Sequence, residues 1–83
     1  MTAADFYVGQ IIHHKLFNYR GVIYDVDAEY SGTDAWYQTV AKSRPTRHQP
    51  WYHVLVDGED STTYVAQQNL SIVERNDPIE HPL

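Results

Sequence analysis

Lys42, Arg44, Arg47 and His48 place three cations and a histidine within seven residues, with Trp51 and Tyr52 close behind. Cations interleaved with aromatic rings suit phosphate contacts with stacking beside them, and they suit docking onto an acidic protein surface equally well. An ordinary solvated loop is the plain alternative. Lys15 and Arg20 join the group if the first hairpin packs alongside. The candidate partner- or DNA-binding residues are therefore Lys15, Arg20, Lys42, Arg44, Arg47 and His48.

Other chemistries lack their parts. There is no cysteine, which removes thiol nucleophiles, disulfides and thiolate zinc sites together. None of the four serines (Ser31, Ser43, Ser61, Ser71) stands in the strained elbow that exposes a nucleophile. No glycine-rich loop opens a helix, so no phosphate cradle forms. His13 and His14 are adjacent in a strand and point to opposite faces, so they cannot chelate together. His14 and His53 read as half-buried strand residues that hydrogen-bond the backbone, and His48 and His81 as exposed. Asp57-Gly58-Glu59-Asp60 lacks the full calcium-loop pattern and reads as a soluble hairpin tip. The reading is a non-enzymatic chain with no catalytic residue, metal or cofactor.

The elements that would carry the cationic residues are mostly strands. Val8–His14 reads as a first strand bent at Gly9. The turn after it, Lys15–Arg20, has Asn18 best suited to positive φ. Gly21–Asp27 forms the second strand, with Val22, Tyr24 and Val26 on one face and Ile23, Asp25 and Asp27 on the other, mostly solvated face. From Ala28 to Pro50 the alternation stops. Thr33 or Asp34 caps a short helix over Ala35–Lys42, pinned by Trp36, Tyr37 and Val40, and an irregular cationic loop bracketed by Pro45 and Pro50 follows. Trp51–Asp57 and Thr62–Ala66 flank an Asp-Gly turn as a second hairpin. Gln67–Asn69 makes one 3₁₀ turn before a last strand, Leu70–Val73. These five short strands predict a mostly β fold, a small SH3-like barrel with one long loop and short-helix excursion.

The chain has 83 residues, which predicts one domain over 1–83, with the barrel at about 7–73 and an extended tail over 74–83. No apolar run approaches membrane-spanning length and no signal-peptide pattern opens the sequence, so the expected location is the cytoplasm and no membrane is expected as a partner. The net charge of −5 argues against a dedicated nucleic-acid binder. Yet five of the six cations (Lys15, Arg20, Lys42, Arg44, Arg47) lie between His13 and His53, beside only four carboxylates.

Two blocks carry a resemblance. V-G-Q-I-I-H-H-K-L-F-N-Y-R-G-V-I-Y-D-V-D (Val8–Asp27) resembles the opening signature of the HspQ/YccV-like, or hemimethylated-DNA-binding, family. P-W-Y-H-V-L-V-D (Pro50–Asp57), followed by T-Y-V-A-Q-Q-N-L (Thr63–Leu70), is similar to its second signature. Asn18 departs from the glycine frequent there. The resemblance implies a small barrel capable of forming a homo-oligomer, with no catalytic residues to carry over. It also implies one of two roles: a regulator or adaptor that helps a protease select its client proteins during heat stress, or a binder of hemimethylated DNA. DNA affinity rests largely on phosphate neutralisation, so with five clustered cations in an acidic chain the expected DNA binding is weak and salt-sensitive.

Overall fold

The computed structural model describes residues 3–40 and 45–73. Five antiparallel strands form one sheet: β1 (Ile11–His14), β2 (Arg20–Asp27), β3 (Trp51–Val56), β4 (Thr62–Ala66) and β5 (Leu70–Ile72). Their order is β4-β3-β2-β1-β5. The edge strands β4 and β5 are consecutive in sequence, joined only by the 3₁₀ turn Gln67–Asn69. The sheet must therefore curl until its two edges approach, giving the expected SH3-like shape as an open barrel without ladder bonds between β4 and β5.

Local chemistry sets the two hairpins. Asn18 takes φ 55°, as its short polar side chain permits, and Gly58 takes φ 78° in the Asp-Gly turn. His14 completes the first turn: its Nδ1 accepts the backbone N–H groups of Leu16 and Phe17, each at 3.1 Å. The predicted backbone role of His14 is met. Before β1, Gly9 (φ 92°) lets the chain fold across the sheet, where its N–H donates to the Ile23 carbonyl at 2.7 Å.

The core lies inside the curl and comprises Ile12, Ile23, Tyr52, Val54, Val65 and Leu70, flanked by Phe6, Tyr19 and Val26. Here the face assignment for β2 needs correction. Ile23 is 1% exposed whereas Tyr24 is 44% exposed. A β-bulge at Tyr24 is the cause: Ile23 pairs with Val54, and the next partner, Asp25, pairs with His53. The extra residue restarts the alternation, so Ile23 and Val26, three apart, both face inward.

Tyr52 ties the amino-terminal segment down. Its buried hydroxyl donates to Gln67 Oε1 (2.5 Å) and accepts the Phe6 N–H (3.2 Å). Gln67 in turn accepts the Asp5 N–H and donates to the Ala3 carbonyl. Each polar atom of this buried pair has work, which makes the burial affordable.

The excursion between β2 and β3 crosses the outer face of the sheet. Its helix α1 (Asp34–Val40) is capped by Thr33, whose Oγ1 accepts the Trp36 N–H at 3.1 Å. The expected carboxy-terminal helix residues 41–42 and the predicted site residues Lys42 and Arg44 lie outside the described residues, as do the side chain of Val40, His81 and the 74–83 tail.

Candidate functional site

A second aromatic layer covers the outer face of β3 and β4. Trp51, 1% exposed, has Tyr30 at 4.9 Å, Tyr64 at 5.3 Å, and Trp36 and Tyr37 just beyond, measured between ring centres. Trp51 and Tyr64 thus pack beneath the excursion and outside the inner core. Tyr37 donates its hydroxyl proton to the Pro45 carbonyl and Trp51 Nε1 to that of Thr46, so the aromatic layer also holds the returning loop.

This layer uses one of the sequence-predicted cations. Arg47 lies over the Tyr37 ring at 4.2 Å and pairs with Asp34 at 2.5 Å. Arg20, at the other end of β2, pairs with Asp57 at 2.9 Å, half-buried on both sides. His48 is exposed with Glu29 at 3.6 Å. Lys15 stands in the exposed β1–β2 turn and enters no ion pair among the described residues. Among the described candidates, Lys15 and Arg20 stand around the start of β2, and Arg47 and His48 in the loop that leads into β3.

One polar network was not anticipated. Tyr64 donates its hydroxyl proton to Asp27 Oδ2 at 2.7 Å, and His53 Nε2 meets the same oxygen at 3.0 Å. The Tyr64 oxygen also accepts the Ser31 N–H. His53 is half-buried as predicted, but its partner is this carboxylate and not the backbone. The Tyr64 hydrogen bond, opposed by burial and helped by His53, holds the Asp27 carboxyl below the usual carboxylate range. Burial, with the Asp27 contact, pushes the Tyr64 hydroxyl up, so it stays a donor. Asp25, Asp27 and His53 bring three ligand-type atoms within 4.8 Å of one another. Asp27 is already engaged by Tyr64 and His53, bonds that tie β2 to β3 and β4 under the aromatic layer, while the exposed Asp25 accepts the Val26 N–H.

Two titrating groups give a pH prediction. Burial, then the nearby His13, lowers the His14 value below 6.5, and Asp27 lies below 3.8. In both cases the folded chain binds fewer protons than the unfolded one, so stability is present above the unfolded value and lost as pH falls. Thermal midpoints should fall first as pH drops below 6.5 and again below 3.8. His14→Gln should flatten the upper decline and Asp27→Asn the lower. Unchanged midpoints across the upper window in the parent chain would refute the His14 assignment.

Between the β1–β2 turn and the aromatic layer runs a groove of about 430 Å³, lined by every residue of β4. One wall is Leu16, Phe17 and Tyr19; the other is Trp36 and Trp51. Leu16 is 54% and Phe17 63% exposed, large apolar groups held open to solvent on a structured turn. Such surfaces mark interaction sites more often than chance. The residue types were visible in the sequence, but nothing there showed that the turn and the excursion flank one strand.

The sequence model of a family described as hemimethylated DNA-binding protein YccV like matches residues 4–83. The chain belongs to that family. Membership in the YccV-like family agrees with the signatures at Val8–Asp27 and Pro50–Leu70, and with the small curled sheet that they encode. The family is described by binding, not by catalysis. Among the described residues, no helix is long and apolar enough to cross a membrane.

Proposed function

We propose that this chain is a non-enzymatic binding module for protein partners, acting as a regulator or adaptor in stress-linked degradation. The supporting observation is the open groove along β4, with Phe17 exposed on its rim. The charge distribution agrees with it: the net charge is −5, and Arg20 and Arg47 are engaged in internal ion pairs. A surface of this kind takes apolar side chains from a partner and offers little to a phosphate backbone.

The description of the YccV-like family favours a second reading, binding of hemimethylated duplex DNA. Lys15, exposed and outside the internal ion pairs among the described residues, is the described cation best placed for phosphate contact.

One pair of assays separates the readings. Purified chain is added to an ATP-dependent protease degrading an unfolded client, and it is titrated against hemimethylated and unmethylated duplexes at low and near-physiological salt. Under the protein reading, the chain alters the degradation rate, and Phe17→Ser weakens client binding about tenfold while leaving DNA binding unchanged. Under the DNA reading, the hemimethylated preference persists at the higher salt and Lys15→Glu reduces the salt slope by about one. An unaltered degradation rate together with persistent methyl-dependent DNA binding overturns the protein reading.

A further inference from the structure

The free edge of β4 runs along the floor of the groove. Pro50 and Gln67 share a ladder bond, as do Val56 and Ser61, and the register between them is unbroken. Hydrogen-bonded pairs alternate along an antiparallel ladder, so Thr63 and Val65 point their backbone groups at β3. Thr62, Tyr64 and Ala66 consequently turn their N–H and C=O groups outward, where no other strand meets them among the described residues. This edge is open at Thr62 and covered at Ala66, which is 1% exposed. Unpaired strand edges are usually blunted by charge, proline or a covering loop. Here the side chains of β4 are Thr-Thr-Tyr-Val-Ala, with none of these devices in the strand itself.

We propose that an extended, alternating apolar peptide segment with a flanking basic residue adds to β4 as a further strand. The proposal rests on the protein-binding reading above and specifies how the partner is held. Main-chain bonds to Thr62 and Tyr64 supply affinity that does not depend on the partner's sequence. Alternate side chains enter opposite walls: one set meets Phe17 and Tyr19, the other the half-buried Trp36. Charge picks the flank. Glu59 and Asp60 are exposed on the hairpin tip that leads directly into Thr62, and no carboxylate lines the groove itself. A lysine or arginine just outside the apolar run therefore lies beside two carboxylates. Two copies of this chain, each at −5, repel and are poorer mutual occupants.

The probe is a fluorescent nonapeptide alternating valine with threonine between terminal lysines, in three forms: unmodified, N-methylated on one alternate set of amides, and N-methylated on the other. The full chain should bind the unmodified form. One methylated form should bind about tenfold or more weakly, because its edge-facing amides can no longer donate, while the other binds nearly as the parent. Hydrogen exchange should slow at the Thr62 and Tyr64 amides on binding and stay unchanged in β5. Thr62→Pro removes an outward amide at the first residue of an edge strand, where proline is tolerated, and should reproduce the loss with the fold intact by circular dichroism. Equal binding of both methylated forms overturns strand addition while leaving a protein-binding groove. Failure of every form to bind overturns strand addition, and the degradation assay then decides the protein reading on its own. Self-association of the chain that Thr62→Pro abolishes puts a second copy on the edge and also overturns the proposal.

Discussion

Gly21→Val is expected to leave the chain without a cooperative fold. Gly21 lies buried in β2, paired to Ile12 on one side and Val56 on the other. A Cβ built there would sit 2.5 Å from Val54 Cγ1 and 2.6 Å from the Leu55 carbonyl oxygen. A rotamer change would relieve the first contact in a looser core, but Val54 is fully buried. The second is backbone, and moving it breaks the β2–β3 ladder. Overpacking by a single methylene costs about 1–3 kcal/mol, and valine adds three heavy atoms. A domain of this length has only about 4–12 kcal/mol to lose. Gly21→Ala should therefore be severely destabilised but foldable, and Gly21→Val unfolded. Urea unfolding followed by tryptophan fluorescence decides it, and a Gly21→Val midpoint near that of the parent would refute the packing argument.

Trp51→Ala should cost about 3–5 kcal/mol, the usual range for emptying a buried aromatic site. The effect is also expected to be spatially uneven. Trp51 carries the excursion on its indole ring and through its Nε1 bond to Thr46, whereas the inner core around Tyr52 and Val54 lies on the opposite face. Losing it should free the excursion before the sheet melts. Trypsin reports this directly: cleavage after Arg47 should accelerate, because the Arg47 carbonyl no longer stays bonded to the Tyr30 N–H. Trp36→Ala, which removes a half-buried ring from the same layer, should speed cleavage comparably with a smaller loss of global stability. Cleavage after Arg47 that speeds up only as far as global unfolding does would mean that the two layers melt as one.

Local signals made most of the fold legible. Asn18 in its turn, Asp57-Gly58 at the second hairpin and Thr62–Ala66 as a strand follow from residue chemistry within a few positions. The bulge at Tyr24 did not, since neither glycine nor proline marks it, and a strict two-residue period put Ile23 on the wrong face. The site was less legible for a related reason. Asp27 meets His53 and Tyr64 across 26 and 37 residues, and only the register of three strands brings them together. Tyr30, which touches four other rings of the outer layer, sits in a stretch without periodicity. The cations were legible as composition, but Asp34 and Asp57, which engage Arg47 and Arg20, lie 13 and 37 residues from them.

The bond from the Asp5 amide to Gln67 spans 62 residues, and β1 waits nearly as long for β5. Non-local pairing of this kind is slow to search, with folding in milliseconds to seconds for comparable topologies. Synthesis is slower still: at about 5–20 residues per second, roughly 3–12 s separate the emergence of the two ends of that bond. Until β3 emerges to pair with β2 the first hairpin stands alone, and an isolated two-stranded hairpin is at best marginally stable. Ile12 and Ile23 are then uncovered on the ribosome. During synthesis each new molecule therefore presents, for seconds, core side chains that the finished fold buries completely.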